Sequence, residues 1–259
     1  MDRSYLETIW QRWLPGAMYP SEMVWLAEQL IAHEVEVLIE CGRQDAVSTR
    51  TLGELLSEHR TAIFSIDFDE DQQRLARVKQ ALSGLNVTCV SGDIHSHVPQ
   101  LLQQNRRRRI AVVQDGPKGW EGLSTLVAAA IHCEDVVLIA QHNLHIGHRS
   151  RTYFRLMACN APFLEYDAAA VLPRELRERE LQDTTFRRSN REVDHSSLGI
   201  CSVRPSLRAA VLDNARDLDP QMGPWSALGT ARAWAAGTYG HVSKLRSRQR
   251  YSWYRFKAR

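Results

Sequence analysis

Between Val35 and Ala140, five short apolar runs alternate with four segments that carry apolar residues at helical spacing. The runs are Val35–Glu40, Ala62–Asp67, Val87–Val90, Ile110–Gln114 and Val136–Ala140. The segments between them are Ser48–His59, Asp71–Leu82, Val98–Gln104 and Leu123–His132. This rhythm predicts β-α-β units and a parallel sheet. Right-handed crossovers then place helices on both faces of the sheet. Uninterrupted apolar strands such as Ile110-Ala111-Val112-Val113 suit a sheet buried on both sides.

The flanks follow other patterns. Residues 5–33 read as helical, with a break at Pro15-Gly16 and a restart near Pro20-Ser21-Glu22. Such a helix either packs on the edge of the sheet or closes over a ligand. After the fifth run, Tyr153–Ala158 reads as helix, and Phe163–Tyr166 and Leu198–Val203 as two more strands. The charged stretch Arg174–Glu180 reads as a helical insertion followed by a mobile loop. Residues 205–236 read as helical, interrupted around Pro220–Pro224. The expected organisation is a helical extension over 1–34, a main domain over 35–205 and a helical, basic and aromatic extension over 206–259.

Composition narrows the partners. With 33 basic and 30 acidic residues, the net charge is +3, too small to signal a nucleic-acid binder by itself. The bases concentrate in the tail His241–Arg259, which holds no acid and includes Tyr251, Trp253 and Phe256. That tail either packs its rings down with solvated arginines or contacts nucleic acid through phosphates and stacking. The cysteines Cys41, Cys89, Cys133, Cys159 and Cys201 are scattered without CxxC spacing, which fits free thiols in a reducing compartment. No apolar run reaches the roughly 20 residues that span a bilayer, and the start lacks a secretory apolar core. A cytoplasmic protein without a membrane span is expected, and a homo-oligomer is compatible with the sequence.

In open parallel sheets, ligands bind beyond the carboxyl ends of the strands, near the reversal of strand order. Here each end is polar. The first run leads into Glu40-Cys41-Gly42, where Gly42 permits a tight turn and Ser48 or Thr49 can cap the next helix. Its amino end favours a carboxylate. The second ends in Asp67, placed to bind two ribose hydroxyls or to cap a helix. The third ends in Gly92-Asp93, where an acid either accepts a hydrogen bond from an amino group or caps. The fourth ends in Asp115-Gly116-Pro117-Lys118. Asp115 there suits a metal or an ammonium group, and Lys118 a general base. The fifth leads into His142-Asn143, either a structural histidine or, with Asp115, nitrogen and oxygen ligands for a divalent ion.

Together these ends resemble the class I S-adenosylmethionine-dependent methyltransferases, over roughly residues 35–205. Glu40-x-Gly42-x-x-x-Ala46-x-Ser48-Thr49 looks like the first motif of the small-molecule O-methyltransferase and cephalosporin-hydroxylase-like branch, which prefers glycines where Ala46 and Val47 stand. The resemblance implies a Rossmann-like doubly wound α/β sheet with helices on both faces and an antiparallel last strand. It implies S-adenosyl-L-methionine as cofactor, held by Glu40, Gly42, Ser48, Asp67 and Asp93. Asp67 would hold the ribose, and Asp93 would lie near the adenine. Asp115-x-x-Lys118 is similar to a motif of catechol-type enzymes in which the acid binds magnesium and the lysine deprotonates the acceptor. That family has Asp-Asn after the fifth strand, both metal ligands, where this chain has His142-Asn143. Catalytic Lys118 and Asp115, and a divalent ion such as Mg2+ on Asp115, His142 and Asn143, are the resulting expectations. The acceptor would be a small or sugar-type molecule. Two other readings are a domain of this type that has lost catalysis and serves in assembly, and a nucleic-acid methyltransferase using the basic tail. A nicotinamide oxidoreductase would need G-x-G-x-x-G after the first strand, which Gly42-Arg43-Gln44-Asp45-Ala46 does not supply.

Overall fold

The computed structural model describes residues 3–14, 17–116, 120–144, 154, 163–165, 174–182 and 198–203. Two helices come first, α1 (Arg3–Arg12) and α2 (Pro20–Ala32). The alternating part follows as β1 (Val37–Cys41), α3 (Val47–Leu55), β2 (Ala62–Asp67), α4 (Gln72–Ala81), β3 (Val87–Ser91), α5 (Ile94–Gln104), β4 (Ile110–Gln114), α6 (Trp120–His132) and β5 (Val136–Gln141). Strand β6 (Phe163–Glu165), helix α7 (Arg174–Gln182) and strand β7 (Gly199–Ser202) complete the described elements. Residues 205–236 and the basic tail lie outside the described residues, as do all of Tyr153–Ala158 but Phe154.

The seven strands form one sheet in the order β3-β2-β1-β4-β5-β7-β6. Strands β1 to β5 are parallel, and β7 runs antiparallel to both β5 and β6. The order reverses between β1 and β4, which opens a crevice at their carboxyl ends. The register sets Glu40 beside Ser65 and Val113, and Asp67 beside Ser91. Every residue of β1 and β4 is buried, as continuous apolar runs require.

Alternation along the strands divides the core. Val37, Ile39 and Cys41 face α5 and α6 through Val98, Leu102 and Leu126. Leu38, Ile63, Ala111 and Leu138 face the other way, onto Trp25, Leu26 and Leu30 of α2 and Ile9 of α1. The N-terminal helices thus cover a face of the sheet and not its edge. Leu52 of α3, Leu56 and Leu176 of α7 share that face with them.

Three local readings change. Helix α5 starts at Ile94, four residues before Val98, because Asp93 accepts from His95 N at 3.3 Å and from Ser96 Oγ at 3.1 Å. The polar run His95-Ser96-His97 conceals this turn from periodicity. Helix α3 ends at Leu55, and Ser57–His59 form a separate 3₁₀ turn. The charged insertion helix α7 is docked: Glu180 is fully buried and accepts from Ser21 N at 2.7 Å and Ser21 Oγ at 2.6 Å. Beside it Arg179 pairs with Glu7 at 2.5 Å and lies over the Trp10 ring at 4.3 Å. Among the described residues no helix is long and apolar enough to cross a membrane, and Cys41, Cys89, Cys133 and Cys201 are free thiols.

Candidate functional site

The turn after β1 is built on close backbone approach. Asp115 N and Gly116 N both donate to Cys41 O at 2.8 Å, which hooks the end of β4 onto the end of β1. Gly42 sits directly above with φ +93°. A Cβ there would fall 2.5 Å from Gly116 N and 2.8 Å from its Cα. Only glycine meets both demands.

Beyond Gly42, Gln44 and Ala46 also adopt left-handed backbone, with φ of +46° and +60°. Such conformations cost a non-glycine residue about 1–2 kcal/mol each. Asp67 counters this by accepting from Arg43 N at 3.0 Å and Gln44 N at 2.7 Å through Oδ2. Successive N–H groups in such a turn form a concavity for an anion, and the Asp67 carboxylate fills it. Below, the buried Arg43 guanidinium donates to Ser65 O and pairs with the Asp69 carboxylate, which also accepts from Ser91 Oγ at 2.7 Å. The ends of β1, β2 and β3 are thereby stapled together.

Glu40 lies beneath this turn. Its Oε2 accepts from Thr49 Oγ1 and Ser65 Oγ, both at 2.6 Å. Burial pushes its carboxyl up to about 7, against the pull of those two hydroxyls. Thr49 is thus spent on β1, and Ala46, the residue before α3, offers no side chain to cap the helix. The amino end of α3 opens toward the cleft at Val47 and Ser48 with its backbone donors available to an anionic ligand.

On the other side of Gly42, Asp115 and His142 converge, joined by a residue of α2. His142 Nδ1 is hydrogen-bonded to Asp115 Oδ1 at 2.7 Å, and Nε2 lies 3.2 Å from Glu22 Oε2. The His142 and Glu22 side chains are 4% and 0% exposed, and that of Asp115 is 14% exposed. Burial pulls the imidazole down, but Asp115 and Glu22 outweigh it and hold the ring charged, up to about 10. Of the residues expected to hold a divalent ion, Asp115 and His142 come within contact of each other, and Glu22 of α2 joins them. No group of three His, Cys, Asp or Glu side chains among the described residues is arranged to hold an ion. Asn143 itself has left-handed backbone, φ +62°, and a buried Oδ1 that accepts no hydrogen bond.

These groups frame a cleft of about 210 Å³ at the carboxyl ends of β1 to β4. Gly42, Ser48, Asp67 and Asp115 line it directly. Glu40 lies below it. Asp93 turns inward to cap α5, while its neighbours Gly92 and Ile94 form the wall. Lys118 lies outside the described residues. Sequence reasoning missed Arg43 and Glu22, whose roles depend on partners 26 and 120 positions away. It also missed Leu14 and Phe68. These line the cleft at 48% and 56% exposure, the exposed large apolar side chains among the described residues. A hydrophobic residue just before Pro15-Gly16, and another just after Asp67, were the available signals.

No protein-family model and no curated protein matches the chain. Among solved structures, its path is similar to that of an O-methyltransferase from Bacillus cereus in complex with S-adenosylhomocysteine, at 13% identity, covering 79% of this chain and 92% of that one, with TM-score 0.49. It is similar to the O-methyltransferase TomG from Streptomyces achromogenes, involved in tomaymycin synthesis, at 10% identity over 78% and 91% of the two chains, TM-score 0.47. It is also similar to the methyltransferase PaMTH1 from Podospora anserina, at 13% identity over 84% and 78%, TM-score 0.43.

Proposed function

We propose that this protein is an S-adenosylmethionine-dependent methyltransferase acting on an oxygen of a small or sugar-type acceptor. One observation carries the reading. A single cleft gathers the ends of four adjacent parallel strands, with a carboxylate at β2 and an open helix amino end facing it. The donor set suits the cofactor's chemistry. Asp67 has the acceptor oxygens for ribose hydroxyls, the amino end of α3 suits the methionine carboxylate, and Leu14 and Phe68 offer apolar contact to a flat ring. Gly42 lets the β1 and β4 ends close against each other beneath it.

When bound, the cofactor supplies a methyl group already activated by its sulfonium. The protein's own part is to orient the acceptor, exclude water and take up the acceptor proton. In this reading Lys118, three residues beyond Asp115, is the base. Asp115 presents a carboxylate to the cleft and keeps its Oδ1 on His142. Asp115, with His142 and Asn143 at the neighbouring strand end, would be the residues to hold a divalent ion, which would supply a lowered pKa to the acceptor oxygen.

The test is release of S-adenosylhomocysteine when the protein meets S-adenosylmethionine and a panel of hydroxylated acceptors, phenols and sugars included. Acceptor-dependent release is expected. It should fall by about 100-fold or more in Lys118→Ala, the scale of a lost general base. Full turnover by Lys118→Ala would remove the lysine from the mechanism. No release across the panel would contradict the O-methylation reading.

A further inference from the structure

We infer that the buried Arg43–Asp69 pair positions the cleft's carboxylate: it holds the loop after β1 on the ends of β2 and β3, so that loop N–H groups orient Asp67, and it adds no stability in doing so. The makeup of the pair carries the inference. The two side chains are 0% and 1% exposed, and the buried Arg43 Nε–H meets no acceptor among the described residues. A fully desolvated ion pair with an unmet donor is a poor source of stability, since apolar side chains of similar volume often serve as well or better. The backbone around it is strained too, with φ of +46° at Gln44, +60° at Ala46 and +51° at Asp69 itself. Strain of this kind persists only where the surroundings over-determine it, and it gathers at functional sites.

The contacts show what the pair achieves. Arg43 donates to Ser65 O of β2 and to Asp69 Oδ2, and the same Asp69 oxygen accepts from Ser91 Oγ at the end of β3 at 2.7 Å. One side chain thus ties the loop to two neighbouring strand ends. The Arg43 and Gln44 N–H groups donate to Asp67 Oδ2 at 3.0 and 2.7 Å, and Phe68 N donates to Oδ1 at 2.7 Å. Three of the roughly four acceptor positions of this carboxylate are therefore fixed by backbone, and one is left for a ligand in the cleft that Asp67 lines. Arg43 and Asp69 are accordingly positioning residues for Asp67. The inference rests on the cofactor reading only in naming that ligand.

The test replaces both members of the pair by apolar side chains in the full-length protein, Arg43→Met with Asp69→Leu. The double variant should melt within a few degrees of the wild type or above it, because neither charge is left buried alone. Arg43→Met by itself strands the Asp69 carboxylate and should melt well below the double variant. In the double variant, hydrogen exchange over residues 42–46, read by mass spectrometry, should quicken by about 10-fold or more while the strands keep their protection. Affinity for S-adenosylhomocysteine, read by calorimetry, should fall by about 10-fold in the same variant. The inference is overturned by a double variant that does not fold or melts far below the wild type, since the pair would then be structural. It is overturned equally by a stable double variant whose loop exchanges as in the wild type, or whose affinity is unchanged. A wild-type protein that binds no S-adenosylhomocysteine would overturn the cofactor reading alone, and the exchange measurement would still decide whether the pair holds the loop.

Discussion

Glu40 is a carboxyl group inside a parallel sheet, and its environment makes a prediction about pH. The folded protein raises it from 4.5 to about 7, chiefly by burial. Between those values the folded chain keeps a proton that the unfolded chain releases. Stability contributed by this group is therefore full below pH 4.5 and is lost as pH rises to about 7, by about 3 kcal/mol. Glu40→Gln should remove that slope from a series of urea denaturations between pH 4.5 and 8, while other groups keep theirs. An identical slope in the variant would refute the assignment. Gly42 makes a second prediction. Gly42→Ala forces both a left-handed φ and a clash with the Gly116 backbone, and should cost about 2–4 kcal/mol in the same assay. Gly42 is legible from sequence because glycine has few reasons to end a strand other than backbone geometry. Arg43 is not, because an arginine in a loop reads as solvated until its partner Asp69 is brought underneath it by folding.

At the scale of elements, the amino end of α2 is the joint of the structure. Glu180 meets Ser21 there and Glu22 meets His142, so two consecutive residues tie the helix to α7 and to the cleft. Glu180→Ala leaves the Ser21 N–H and hydroxyl buried without their acceptor and should cost about 2–4 kcal/mol by thermal or urea unfolding. Arg179→Ala, next to it on the exposed side, should leave the unfolding midpoint nearly unchanged, since exposed pairs contribute little. Equal effects from the two would contradict the docking described. The five parallel strands are legible because burial on both faces demands uninterrupted apolar runs. The docking of α7 is not, since its sequence RELRERELQ is charged on every side and the one buried acid looks like the others. Its partner lies 159 positions away. The bridge through His142 was half legible. Asp115 and His142 fall at neighbouring strand ends, but the third group comes from a helix that carries no pattern of a site.

For the whole molecule, the N-terminal helices belong to the core as much as the strands do. Ile9, Trp13, Met23, Trp25, Leu26 and Leu30 bury the sheet face formed by Leu38, Ile63, Ala111 and Leu138. Deleting residues 1–33 should abolish cooperative unfolding seen by circular dichroism and expose a dye-binding apolar surface. A truncated chain that unfolds cooperatively would show that the face is covered some other way. The same helices bring Leu14 and Ala17 to the cleft and Glu22 to His142, so fold and site share one support. The central claim is that this cleft holds S-adenosylmethionine, and calorimetric titration of the intact protein with S-adenosylhomocysteine tests it most directly. One site per chain is predicted, with affinity falling by about 10-fold to 100-fold in Asp67→Ala, as for a lost hydrogen bond to a charged group. No saturable heat in the wild type, or full affinity in Asp67→Ala, would contradict it.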